Sequence, residues 1–152
     1  MEGVQLIPCM IWRNDVFPFL STDLKLVWFH LMTTPLGSPL GIVHASTKSL
    51  TSELRRSTAW YRKRLYAGME AGLWKYDKQN QVVCFLDYWT QTGNKPETPK
   101  VLDSWLKYLD GIPKSPLVFE CLNDLEQCCA VWGRGYMEVL KKASEKYMKA
   151  SV

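Results

Sequence analysis

The spacing of apolar residues changes from a helical to an extended pattern at Gly72, and this change limits the fold more than any other feature. Before Gly72, hydroxyl residues that cap helix N-termini precede segments with apolar residues three or four apart. After Gly72, which suits a left-handed helix C-cap, the segments are rich in β-branched and aromatic residues. The predicted helices are helix 1 over residues 22–33, helix 2 beginning after Ser46 or Thr47, and helix 3 over residues 58–71.

The extended segments are LWKYD (73–77) and QVVCFLDYW (81–89), and a polar tip around Asp77–Asn80 separates them. These features predict a β-hairpin, and GIVHAS (41–46) adds a very short strand before helix 2. The order helix, strand, helix, helix, strand, strand matches a helix-turn-helix followed by a hairpin wing. We therefore predict a mainly α fold with a small antiparallel β-hairpin: a winged helix-turn-helix with a helical C-terminal extension.

Residues 90–100 contain two Pro, one Gly and several polar residues, which is typical of a connecting segment. Three amphipathic segments follow it. The predicted organisation is a winged-helix domain over 1–90, a linker over 91–100 and a helical extension over 101–152. The extension has more aromatic side chains than a small core needs to bury. We therefore expect residues 119–150 to bind a partner or a second copy of the chain. Residues 101–118 are expected to pack on the first domain. These aromatic residues are Trp105, Phe119, Trp132 and Tyr136.

Positive charge is concentrated near helix 3. Residues 44–80 carry eight Lys or Arg against three Asp or Glu, a local net charge of +5, while the whole chain has +4. Such a concentration favours a polyanionic partner. If Tyr61, Leu65 and Met69 form the inward stripe of helix 3, Lys63 points outward with Arg62 and Arg64 on the flanks.

The segment STKSLTSELRRSTAWYRKRLYAGMEAGLWKYDKQNQVVCFLDYW (46–89) resembles the winged-helix DNA-binding domain of phage and prophage replication proteins and related regulators. The resemblance rests on the Gly72-Leu73 exit from helix 3, the hairpin tip, and Tyr88-Trp89, which would close the second wing strand. ETPKVLDSWLKYLDGIPKSPL (97–117) is similar to the segment that follows the wing in such proteins. The resemblance implies that helix 3 enters a DNA groove and that the wing lies beside it.

We therefore expect a double-stranded DNA-binding protein of phage or mobile-element type that acts in replication initiation or transcription regulation. Helix 3 would read the major groove, and a homodimer would match a two-fold site. A replication or host protein is a further expected partner, through the C-terminal helices. The predicted DNA-binding residues are Arg55, Arg56, Ser57, Thr58, Arg62, Lys63, Tyr66, Lys75, Lys78 and Asn80. For the wing residues, ordinary hairpin-turn chemistry is an equal alternative.

A second hypothesis keeps the winged helix but changes its partner to a protein, such as a host factor. Trp60 and Tyr61 stand where a recognition helix often carries small polar residues, and aromatic side chains are common hot spots of protein interfaces. Trp60 itself is expected to cover the core edge or to contact another chain. Loss of DNA binding on replacing Arg62 and Lys63 would distinguish the two hypotheses.

The residues give little support for other classes of function, such as an enzyme, a zinc protein or a membrane protein. No nucleophile–base motif, phosphate loop or ATPase or primase motif occurs, so no enzyme and no cofactor are expected. The five Cys are read as buried small hydrophobes, and no zinc site is expected because no His lies at ligand spacing from a Cys. No apolar run is long enough to span a membrane and no signal peptide is recognisable, so we expect a cytoplasmic protein without membrane contact.

Overall fold

The computed structural model describes residues 5–150, which are mainly helical with a small three-stranded antiparallel sheet. Residues 1–4 and 151–152, at the outer ends of the predicted first domain and extension, lie outside the described residues. Short 3₁₀ turns span Cys9–Arg13, Phe17–Phe19 and Lys107–Gly111. The elements are α1 (Thr22–Thr33), β1 (Ile42–His44), α2 (Thr47–Leu54), α3 (Thr58–Glu70), β2 (Trp74–Asp77), β3 (Val82–Phe85), α4 (Tyr88–Thr92), α5 (Pro99–Leu106), α6 (Pro116–Trp132) and α7 (Arg134–Lys149).

The first three helices begin where the capping residues predicted. The Oγ atoms of Ser21, Ser46 and Ser57 each accept a hydrogen bond from the backbone N–H three residues later, at 3.1 to 3.2 Å. Each bond satisfies one of the N–H groups that a helix start leaves without a partner. Gly72 follows α3 with φ +75°, the left-handed conformation expected of a C-cap glycine.

The sheet has the order β1-β3-β2, and both pairings are antiparallel. The predicted short strand is therefore β1, which pairs with β3 on the side away from β2. The prediction that Tyr88 and Trp89 extend the second hairpin strand was wrong, because β3 ends at Phe85 and both residues lie in α4. In a continuing strand the two rings would point to opposite faces, whereas the helical turn buries both.

The inward face of α3 also differs from the prediction at one position. Tyr61 and Leu65 are buried as expected, but Met69 is 37% exposed and Gly68 is buried instead. Steps of four residues rotate the inward stripe by about 40° each, so the second step leaves the buried face. Trp74 of β2 fills that place: a Cβ on Gly68 would lie well under 3.0 Å from its ring.

The C-terminal helices pack against each other and against the sheet. Ser115, the cap of α6, donates a hydrogen bond of 2.6 Å to Asp77 at the end of β2. The hydroxyl of Tyr147 donates at 2.7 Å to the carbonyl of Pro113. The hydroxyl of Tyr136 lies 3.0 Å from two carbonyl oxygens of the segment before α5. These contacts tie the extension to the hairpin and to itself.

The aromatic residues expected to form a surplus in this extension pack within the chain. Tyr136 is buried, and Trp105, Phe119 and Trp132 are half-buried against the core. Trp89 of α4 stacks on Trp105 with ring centres 6.3 Å apart. A partner is therefore not needed to explain these rings.

The expectation that all five cysteines are buried needs correction, and the N-terminal region adds buried contacts of its own. Within residues 5–20, two 3₁₀ turns span Cys9–Arg13 and Phe17–Phe19. Phe17 of the second turn is fully buried, which fixes this segment on α1 through Trp28, 5.0 Å away between ring centres. Cys84 and Cys129 are buried as expected, but Cys9 is exposed.

Candidate nucleic-acid interface

The turn between α2 and α3 presents the first two predicted cations. Arg55 ends α2 in the left-handed conformation, with φ 54° and ψ 46°, and Arg56 follows it. Both side chains are exposed. Ser57 is exposed too, and its hydroxyl oxygen accepts the bond that caps α3. Thr58, the first residue of α3, is half-buried.

The free face of α3 carries the next predicted residues. Ala59, Arg62, Lys63 and Tyr66 lie at i, i+3, i+4 and i+7, so they share one face of the helix, and all four are exposed. Glu70 is exposed at the C-terminal end of the same stripe, so positive charge is concentrated in the N-terminal half of α3. The structure thus brings Arg55, Arg56, Arg62 and Lys63 to the surface of α3 and its entering turn, and we name these four residues the α3 cationic surface.

The acids on neighbouring helices are engaged elsewhere. Glu53 of α2 lies 3.0 Å from His30 Nε2 and accepts a hydrogen bond of 2.5 Å from Thr34. Asp23 of α1 pairs at 3.1 Å with Arg64, the flanking cation of α3 that is half-buried. Within residues 5–150, none of the four cations of the α3 cationic surface forms an ion pair. They are left with positive charge that no side chain of the described chain neutralises.

Trp60 lies beside this surface at the edge of the core, in agreement with one of its expected roles. The guanidinium carbons of Arg56 and Arg64 lie 5.2 and 4.6 Å from the centre of its ring. Cation–π attraction at such distances holds the Arg56 side chain close to the start of α3. Trp60 therefore acts as a support for Arg56.

A polar network that the sequence analysis missed fixes α3 against α1 and α2. The hydroxyl of the fully buried Tyr61 lies 2.7 Å from His30 Nδ1, and the other ring nitrogen of His30 contacts Glu53. Burial, and secondarily the charge of Glu53, raise the pKa of Tyr61 well above its ordinary value. No spacing relates these three residues along the chain, so no sequence pattern could have revealed the network.

The hairpin offers less than predicted. The ammonium of Lys75 forms an ion pair with Glu120 of α6, and this hydrogen bond raises the pKa of Lys75. The amide of Asn80 donates at 2.7 Å to Asp77, which is the ordinary hairpin-turn chemistry considered as the alternative. Hydrogen bonds from Asn80 and Ser115 lower the pKa of Asp77. Lys78 is exposed at the tip and has no ion pair within the described residues, so it is the hairpin cation that can reach outward.

An aromatic contact connects α3 to the hairpin. Tyr66, 42% exposed, lies edge-on to Tyr76 of β2 with ring centres 6.0 Å apart. This pair joins the α3 stripe to β2 immediately before the hairpin tip.

Two other features are absent from residues 5–150. No group of three or more His, Cys, Asp or Glu is arranged to hold a metal ion. No helix in this range is both long and apolar enough to cross a bilayer.

Comparisons with known proteins give no further guide. No family model matches the sequence, and no curated protein and no solved structure is significantly similar to it. The residues and their arrangement are therefore the basis for any assignment of function.

Proposed function

We propose that this chain is a winged helix-turn-helix protein that binds double-stranded DNA. It would be of phage or mobile-element type and would act in the cytoplasm in replication initiation or transcription regulation. Support for the winged-helix assignment comes from the order α1, β1, α2, α3, β2, β3 and from the sheet order β1-β3-β2. In this proposal the chain has no catalytic role and needs no cofactor.

The observation that carries the proposal is the unpaired positive charge of the α3 cationic surface. In helix-turn-helix docking, the N-terminal part of the second helix faces the bases while the first helix crosses the backbone, so the turn between them lies near both. Arg62 and Lys63 would then contact base edges or phosphates, while Arg55 and Arg56 would neutralise phosphates. The small side chain of Ala59 leaves room for α3 to approach the DNA closely. Lys78 would contact the backbone at the wing.

Three of the residues predicted to bind DNA take different roles in this proposal. Ser57 caps α3 through its hydroxyl oxygen, and its O–H group can still donate to phosphate. Asn80 stabilises the hairpin turn through Asp77. Lys75 would have to leave Glu120 to reach DNA. The proposal therefore depends on α3 and its entering turn more than on the hairpin.

A double substitution of Arg62 and Lys63 with Ala tests the proposal in a duplex-binding titration followed by fluorescence anisotropy. The matched control replaces Lys141 and Lys142 with Ala, because these α7 lysines are also adjacent, exposed and without an ion pair in the described chain. Both variants change the net charge equally. We expect the α3 variant to bind at least about tenfold more weakly while the control keeps near wild-type affinity, since each lost phosphate contact removes a salt-dependent contribution.

The alternative proposal, a scaffold that binds a protein partner, is favoured by the exposure of Tyr66 and Met69 on α3. Large exposed side chains beside arginines are typical of protein interfaces. An α3 variant that binds duplex DNA as tightly as the wild-type chain would contradict DNA binding through α3. A wild-type chain that does not bind duplex DNA would contradict DNA binding altogether, and either result would favour this second function. A homodimer on a two-fold DNA site would fit the first function, and sedimentation of the complex would reveal it.

A further inference from the structure

A cavity of about 400 Å³ lies between the end of β3, α4 and one face of α6. Four of its lining residues are aromatic: Phe85, Tyr88, Trp89 and Trp132. Neighbouring ring centres lie 6.5 Å apart for Phe85 and Tyr88, 5.1 Å for Tyr88 and Trp89, and 5.6 Å for Trp89 and Trp132. We name this space the aromatic cavity. Its volume falls within the range of small-molecule sites, which is about 300–1,000 Å³.

The walls of the aromatic cavity are held in place by the core. Phe85, Tyr88 and Trp89 are buried, so packing on their far sides fixes their orientation. Gly41 contributes to this order, because a Cβ there would overlap the ring of Tyr88. A site whose walls are already ordered loses little conformational freedom when a ligand binds.

The charge of the aromatic cavity is opposite to that of the chain. Asp87 and Asp124 are the two charged residues among those that line it, and no Lys or Arg lines it. Within residues 5–150, neither carboxylate forms an ion pair or a hydrogen bond. Lys75, whose pKa Asp124 helps to raise, is paired with Glu120 instead. The cavity therefore presents two negative charges in a chain with a net charge of +4.

Asp87 has no evident role in stabilising the fold through its side chain. It precedes α4 in the left-handed conformation, with φ 52° and ψ 29°, and its carboxylate does not cap that helix. Asp is among the residues that tolerate this conformation, but the conformation is still costly. A carboxylate held at the cavity by such a turn remains free for an interaction with a ligand.

We infer that the aromatic cavity binds a small organic cation, namely a protonated or quaternary amine that carries an apolar body. The half-buried ring of Trp132 attracts such cations through its quadrupole, and the two exposed carboxylates add a direct charge attraction. An apolar body of the ligand would fill the remainder of the aromatic cavity. A bare metal ion does not fit, because no three ligating side chains cluster in the described chain. An anion would meet two carboxylates and no cation.

Isothermal titration of the full chain with benzyltrimethylammonium tests this inference, with benzyl alcohol as the neutral probe and benzoate as the anionic one. We expect the cation to bind about tenfold more tightly than the alcohol, because only the cation gains the ring and carboxylate attraction. Benzoate is expected not to bind. Shifts of the indole N–H resonances of Trp89 and Trp132 locate the probe.

Substitution of Asp87 and Asp124 with Asn is expected to weaken binding of the cation about tenfold, because both charges are removed at nearly constant shape. The matched control replaces Asp15 and Asp103 with Asn, since both are exposed aspartates that do not line the cavity. Thermal unfolding shows that each variant is folded, and Asp124→Asn alone serves if the double variant is not. Equal binding of cation and alcohol, equal losses in both variants, or shifts confined to indoles outside the cavity would overturn the inference. None of these outcomes depends on whether the chain binds DNA.

Discussion

Replacing Gly68 with Ala tests the packing that orients α3. The added methyl group would overlap the ring of Trp74, which is 1% exposed and whose Nε1–H donates to the carbonyl of Leu65 at 2.9 Å. The ring must therefore move and weaken that bond. Overpacking costs about 1–3 kcal/mol and a broken buried hydrogen bond about 1–3 kcal/mol, while helix propensity returns about 1 kcal/mol. We expect a net loss of about 3 kcal/mol in the free energy of unfolding.

Thermal unfolding followed by circular dichroism measures this effect. For a chain of this length, a loss of about 3 kcal/mol lowers Tm by about 6–12 °C. Gly111→Ala is the control, because the same methyl group there would meet no heavy atom within 4 Å. A Gly68→Ala variant that is as stable as the control would refute the described contact between α3 and Trp74.

Two further predictions concern pH. Tyr61→Phe removes the contact with His30 and is expected to cost about 1–2 kcal/mol at neutral pH in denaturant unfolding. The raised pKa keeps the Tyr61 hydroxyl protonated in the folded chain, whereas an unfolded tyrosine ionises at about pH 10. The free energy of unfolding of the wild-type chain should therefore fall above that pH. The Tyr61→Phe variant should lack this part of the fall. Hydrogen bonds from Asn80 and Ser115 lower the pKa of Asp77 in the folded chain. They therefore stabilise the fold at pH values above the unfolded pKa of Asp77, and this contribution is lost as the pH falls. Asp77→Asn should remove it and so flatten the acid side of the profile of stability against pH. An unchanged profile in either variant would contradict the assigned contacts.

Local signals in the sequence were sufficient for most of the helices. The caps Ser21 and Ser57 and the left-handed Gly72 act within a few residues of their own position, so a pattern of short range can reveal them. The exposed cations Arg62 and Lys63 of α3 were also placed correctly, because helical periodicity alone decides which face they share.

Features that depend on distant residues were not predictable in the same way. Met69 was placed inside because nothing in its own helix shows that Trp74 fills that position. The pairing of Lys75 with Glu120 joins residues 45 apart in sequence, so no local pattern shows this link to α6. Tyr88 has strong β propensity, yet its burial in α4 overrides that local preference.

The salt dependence of duplex binding tests most directly whether the α3 cationic surface binds the DNA backbone. Four phosphates neutralised by the α3 cationic surface contribute about −3.6 to the slope of log K against log salt, or a fall of about 150-fold between about 50 and 200 mM salt. The Arg62 and Lys63 double alanine variant should reduce the slope by about 1.8. The predicted result is this steep slope for the wild-type chain and the reduced slope for the variant. Absence of binding at low salt, or a slope that is unchanged in the variant, would contradict DNA binding by the α3 cationic surface.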